Sequence, residues 1–226
     1  MVGLPKAAVA ALLWSTTTVA QQPGVAPGEH AGTDGMCIPA ESRAGRTQGC
    51  FVIAAVPLGR LRGEQLYWHI DRYPDRAAAE KEQAARSTVL QAYGTIWLFS
   101  IADRDFQSVH GTHVATVGPL PLGKAASYTA WYMEATFMPG MQSAVHRHTG
   151  PEAWYVLSGE QCLETPGGKS VIRTGQSGLV AGGQPMILTA TGAAERRSLV
   201  LILGDSSLPN VLPEKDWKPK GLCLAP

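Results

Sequence analysis

The chain has 226 residues, enough for one domain with an appendage and a sizeable buried core. Lys plus Arg number 19 and Asp plus Glu 18, a formal net charge of +1. That balance offers no electrostatic footprint for nucleic acid or for an anionic membrane surface, so neither is expected as a partner.

The chain opens on an export pattern. Lys6 supplies a short basic region, Ala7 to Trp14 an apolar core, and Thr18-Val19-Ala20 the small residues before a cut at Ala20/Gln21. The apolar run is too short to span a bilayer. A signal peptide over 1–20 predicts a mature protein that is periplasmic or secreted, with no membrane attachment after cleavage. Residues 21–48, rich in Pro and Gly from Pro23 to Gly35, read as a flexible leader.

All four cysteines, Cys37, Cys50, Cys162 and Cys223, follow the cut, and an exported chain favours disulfides. Three pairings are open. Cys37 with Cys50 is the simplest, tying the leader to the first strand; Cys162 with Cys223 then tethers the tail. No CxxC spacing points to a cysteine metal site.

Residues 49–105 read as a small α+β portion. Cys50 to Val56 is a short apolar run and predicts a buried strand. Leu66, Trp68 and Ile70 alternate with Tyr67, His69 and Asp71, which predicts a second strand. Asp75 is a good N-cap before an Ala/Glu/Arg-rich stretch, so a helix is predicted over Arg76 to Ala92, stopping at Gly94. Thr95 to Ile101 predicts a third strand. This ββαβ block is expected to pack against the remainder, with Trp68, His69 and Trp97 read as packing residues.

Residues 112–205 hold many short strands between Gly/Pro turns, the mark of an all-β barrel or sandwich. The predicted strands are His113–Val117, Tyr128–Met138, one carrying His146 and His148, Ala153–Leu157, Gln161–Thr165, Lys169–Arg173, Leu179–Val180, Gln184–Ala190 and Arg197–Leu203. Residues 206–226 form a tail. The most informative stretch is Gly140 to Gly159. His146 and His148, two apart on a strand, aim both imidazoles at one face. Thr149-Gly150-Pro151 is a turn that folds the chain back. Glu152 then starts the next strand and brings a carboxylate to the same point. Two imidazoles and a carboxylate make a site for a divalent transition metal (Fe, Mn, Zn, Ni or Cu), with positions left open.

Gly140, His146, His148, Glu152 and Gly159 fall at the spacings of the first cupin signature, G(X)5HXH(X)3,4E(X)6G, and the segment resembles that superfamily. The resemblance implies a jelly-roll barrel, with His146, His148 and Glu152 as metal ligands. It also implies a small-molecule ligand, pairing into a homodimer through barrel edges, and either oxygenase- or isomerase-like chemistry or a non-catalytic binding or sensing role. The second signature, G(X)5PXG(X)2H(X)3N, aligns poorly. Gly175 and Gly183 match, but Ala181, Met186 and Ala190 stand where proline, histidine and asparagine are expected. Met186 at the usual fourth-ligand position is read as an apolar wall, as a soft fourth ligand, or as a gap filled by His113, Gln142 or Glu134. Trp131, Gln142, Trp154 and Tyr155 are pocket candidates, though alternation lets only one of Trp154 and Tyr155 face inward. Glu134 is a general-base candidate if it points into the cavity.

Overall fold

The structure, a computed structural model, describes residues 37–61 and 65–224. The expected signal peptide and most of the leader lie outside the described residues. No helix among the described residues is long and apolar enough to cross a membrane.

The architecture is mainly β. In chain order the strands are β1 (Ile38–Pro39), β2 (Gly49–Gly59), β3 (Tyr67–Tyr73), β4 (Ser87–Ala92), β5 (Thr95–Ala102), β6 (Thr112–Val117), β7 (Tyr128–Phe137) and β8 (His146–His148). Then come β9 (Glu152–Ser158), β10 (Glu160–Thr165), β11 (Gly168–Arg173), β12 (Ser177–Val180), β13 (Ile187–Thr191), β14 (Arg196–Asp205) and β15 (Val211–Pro213). The one described α-helix, α1, covers only Arg76–Glu80.

A six-stranded sheet, ordered β1-β2-β7-β14-β9-β12, is the backbone of the fold. Its central strands are apolar almost without interruption because both faces are covered. Alternate residues of β7, β9 and β14 point to opposite sides. Tyr128, Ala130, Tyr132, Ala153, Leu199, Leu201 and Leu203 enter one core; Met133, Ala135, Phe137, Trp154, Val156, Val200 and Ile202 enter the other. The second core is the barrel interior. It is closed on its far side by a three-stranded sheet, β11-β10-β13, and by the β8–β15 pair.

The first core lies outside the barrel, under a four-stranded sheet ordered β4-β5-β3-β6. Aromatic side chains join the two. Phe99 meets Trp68 edge-on at 5.4 Å between ring centres and stacks on Tyr132 at 5.2 Å. Trp68 and Trp97 are therefore packing residues of this core.

Three boundaries differ from those expected on sequence. The predicted helix ends at Glu80, and Ser87–Ala92 is instead a strand paired with β5 across the Tyr93-Gly94 turn. Asp75 does cap α1, accepting from the Ala78 N–H at 2.8 Å. Beyond the cap, β-branched Thr88 and Val89 gain an in-register partner strand that an isolated helix lacks. Tyr93 and Gly94 both have positive φ, +51° and +74°, as a two-residue hairpin requires. Gly94 thus serves a hairpin and not a helix end. The predicted first barrel strand, β6, pairs with β3 in the outer sheet. In exchange, β2 crosses into the barrel and pairs with β7, and β15 from the expected tail pairs with β8.

Both expected disulfides are present: Cys37–Cys50 at the start of β2, and Cys162–Cys223, which pins the C-terminal segment to β10. The buried Glu164 carboxylate reinforces that pin by accepting from the Lys220 and Leu222 backbone N–H groups.

Candidate metal centre

β8 is three residues long and sits at one end of the barrel interior. Its edges are held by β15 and by a backbone pair between His146 and Met186, with N–H to O distances of 3.1 and 2.9 Å. Arg147 points outward; His146 and His148 point in, 7 % and 4 % exposed. The turn after β8 is locked from several sides. The Gly183 N–H donates to His148 O, the Asp205 N–H to Thr149 Oγ1, and the Leu203 N–H to Pro151 O. Gly150 is pressed so tightly onto β14 that a Cβ there would lie 1.7 Å from Leu203 O. The turn delivers Glu152 to β9, between Val180 of β12 and Ile202 of β14. The imidazoles and the carboxylate therefore meet from opposite walls of the barrel, not from neighbouring strands of one sheet.

The tautomers follow from the hydrogen bonds. His146 Nδ1 lies 2.8 Å from Ala144 O, and His148 Nδ1 lies 2.8 Å from Asn210 O. A carbonyl only accepts, so each Nδ1 carries a proton and each neutral ring turns a bare Nε2 inward. Those two nitrogens are 3.1 Å apart. Glu152 Oε2 is 3.2 Å from His148 Nε2 and has no hydrogen-bond partner. Three acceptors thus face one another at a buried site. A single extra proton bridges the two nitrogens and leaves the carboxylate oxygen unserved.

Burial and neighbouring charges of opposite sign act on His146 and Glu152 in opposite senses. Burial, helped by His148, lowers His146 and favours the neutral ring. Burial works to raise the Glu152 carboxyl, but His148, His146 and Arg196 outweigh it and hold the group below its usual range. All three donor atoms lie within 4.8 Å of one another. Donors on neighbouring corners of a first-row metal, each ~2.1 Å from it, stand about 3 Å apart. The donor set fits a divalent transition metal in atom type and charge, and the His146–His148 and His148–Glu152 separations of 3.1 and 3.2 Å match that spacing.

The cluster opens on a cavity of about 40 Å³. This has room for on the order of three water-sized groups. Trp154 lines it and Tyr155 turns to the outer core, as strand alternation requires. Trp131 packs against the barrel core without lining the cavity. Gln142 bridges to Thr189, donating to its Oγ1 at 3.0 Å, and does not line the cavity. Met186 is buried beside His146 in the barrel core but is not among the cavity-lining residues. His113 lies in the outer sheet, bonded to Asp71 at 2.9 Å, and is no substitute ligand.

Glu134, the general-base candidate, does not face the cavity. It lies on β7 between Met133 and Ala135, whose side chains enter the barrel core, so alternation sends its own carboxylate to the opposite face. There it is ion-paired with Arg43 and accepts from the Tyr93 N–H at 3.0 Å. A carboxylate spent on that pairing, on the wrong side of the sheet, is no base for this cavity.

Three polar residues that no sequence motif singles out do line it: Ser143, Gln161 of β10 and Arg196 of β14, the last two each 1 % exposed. Both strands are buried at nearly every position, so no alternation in either one marks these side chains in the sequence.

The two signature histidines and the glutamate converge inside a closed two-sheet barrel. It is a mainly β barrel of the jelly-roll type.

No family model matches the chain, and no curated protein matches it. Solved structures resemble the barrel in part. An uncharacterised double-stranded β-helix protein from Klebsiella pneumoniae is 22% identical, covering 38% of this chain and 71% of its own, with a TM-score of 0.34. A cupin superfamily protein from Desulfitobacterium hafniense is 16% identical, covering 34% and 68%, with a TM-score of 0.32. An oxalate oxidase bound to the substrate analogue glycolate is 21% identical, covering 37% and 45%, with a TM-score of 0.32. These overlaps are confined to about a third of the chain.

Proposed function

We propose that this chain is an exported metal-binding protein whose cupin-type barrel holds one divalent transition metal through His146, His148 and Glu152. We further propose that the metal works on a small organic molecule in oxygenase- or isomerase-like chemistry. The observation that carries this reading is the inward convergence of three acceptor atoms with no donor among them. The tautomers behind it are imposed by the Ala144 and Asn210 carbonyls. A bound metal would supply Lewis-acid polarisation of a substrate oxygen. The residues of the chain would do the remainder. Ala144 and Asn210 orient the rings, and Trp154, Val200 and Ile202 keep the cavity dry. Two disulfides favour an oxidising compartment and so support export.

One observation favours a second reading, a non-catalytic binding or sensing barrel. With Glu134 facing away, no acid or base besides the proposed ligands and Arg196 lines the cavity among the described residues. Purification without chelator followed by elemental mass spectrometry tests the metal; about one equivalent per chain is expected, and none in His146→Ala. Oxygen uptake and isomerisation assays on the metal-loaded protein, with diketones, flavonols and phenols, then separate the enzyme from the sensor.

A further inference from the structure

The same cavity is lined by donor groups whose hydrogen bonds are incomplete. Gln161, 1 % exposed, has neither its amide nitrogen nor its amide oxygen hydrogen-bonded. The Trp154 indole Nε1 is buried and unpartnered. Arg196 donates from Nη1 to Ala135 O at 3.2 Å and to Ser198 Oγ at 2.8 Å, and its guanidinium stacks on the Phe137 ring at 4.4 Å. Its Nε has no partner, and no carboxylate among the described residues forms an ion pair with it.

Such a group is costly. A buried guanidinium whose Nε lacks a protein acceptor, and whose nearest opposing charge is committed to the metal cluster, carries a desolvation cost that an anion in the cavity would offset. All three residues line the same cavity as the metal cluster. A divalent ion, the guanidinium and the Glu152 carboxylate together leave that closed space with net positive charge.

We infer that the cavity binds a short-chain carboxylate, with one end on the metal side and its oxygens received by Arg196, Gln161 and the Trp154 N–H. This rests on the metal reading above and specifies the ligand class for the same site. A guanidinium and neighbouring N–H donors match a carboxylate in charge and in the direction of its lone pairs. The cavity volume restricts the class to small acids. Gln161 is a positioning group that offers its N–H₂ to the anion.

The test uses the full chain loaded with cobalt(II), whose visible spectrum reports what enters the metal's surroundings. Metal affinity is measured first by calorimetry for the native chain, Gln161→Leu, Arg196→Lys and Arg196→Met. Acetate, glyoxylate and neutral acetamide are then titrated into each loaded protein. Saturable spectral changes are expected with both carboxylates and at least about tenfold weaker binding of acetamide. Gln161→Leu is expected to weaken the carboxylates about tenfold, and Arg196→Met more, with Arg196→Lys retaining part of the affinity. Metal affinity stays the same in Gln161→Leu, and the carboxylate affinities of the Arg196 variants are compared at full metal loading. Equal or absent binding of carboxylates and acetamide by the loaded native chain overturns the inference and leaves the metal reading intact. Absence of metal uptake in the native chain overturns both. Should Arg196→Met fail to fold, Gln161→Leu decides, because an apolar side chain of similar size replaces an amide that has no partners; undiminished carboxylate binding there overturns the inference.

Discussion

Glu152 Oε2 sits 3.2 Å from His148 Nε2 and accepts no hydrogen bond from it. The ring proton is committed elsewhere, on Nδ1 toward Asn210 O, so the contact sets a lone pair against a lone pair. In the metal-free protein that contact is a local liability. It becomes favourable when a cation lies between the two atoms.

Glu152→Gln separates these two states. The amide presents an N–H to the His148 nitrogen and removes a buried negative charge. The metal-free variant is expected to be more stable than the native chain by about 1 kcal/mol. Its divalent-metal affinity is expected to fall about a hundredfold. Thermal melts with and without added zinc or manganese measure both. Metal should raise the melting temperature of the native chain, by about 2.7 kcal/mol of stability at a hundredfold excess over Kd, and barely move that of the variant.

Two glycines flanking the histidines should differ sharply in tolerance. At Gly150 a Cβ would lie 1.7 Å from the Leu203 carbonyl, a backbone atom inside β14 that has no room to yield. Gly150→Ala is expected to cost about 3 kcal/mol or more and to displace Glu152. At Gly140 the space is open and only the φ of +89° resists. Gly140→Ala should cost about 1–2 kcal/mol. Urea denaturation of both variants compares them directly.

The two disulfides close loops of different length, with sequence separations of 13 and 61. Chain entropy in the unfolded state predicts about 3 kcal/mol from Cys37–Cys50 and about 4 kcal/mol from Cys162–Cys223. Replacing each pair by serines and measuring denaturation midpoints should rank them in that order. Losing Cys37–Cys50 has a second consequence, because both cysteines line the cavity. Metal exchange is expected to be faster in that variant.

Stability should fall on the acid side of neutrality. His69 is fully buried, and burial lowers it from its ordinary value of 6.5 against the opposing pull of the Asp103 carbonyl and Asp71. The folded chain resists a proton that the unfolded chain accepts. The contribution is therefore intact above about pH 6.5 and is lost as the pH falls below it. The slope from one such group approaches 1.4 kcal/mol per pH unit. Melts of the metal-free protein from pH 5 to 8 should show this loss. His69→Gln should reduce the slope without abolishing it, since burial lowers His146 in the same direction.

The amino-acid sequence by itself determined what depends on short spacings. A two-residue repeat puts His146 and His148 on one face, Thr149-Gly150-Pro151 turns the chain, and the same alternation turns only one of Trp154 and Tyr155 inward. These are properties of the local backbone and survive any arrangement of the sheets. Tertiary structure decided what depends on long-range register. Ser87–Ala92 became a strand because β5 was there to pair with it, and β6 joined the outer sheet because β3 offered an edge. Glu134 turned toward Arg43 because β7 is covered on both faces, and nothing local says which face holds the cavity. Arg196 and Gln161 lie 35 residues apart on strands of different sheets. Only closure of the barrel set both against the cluster, since no pattern within either strand records what the opposite wall contributes.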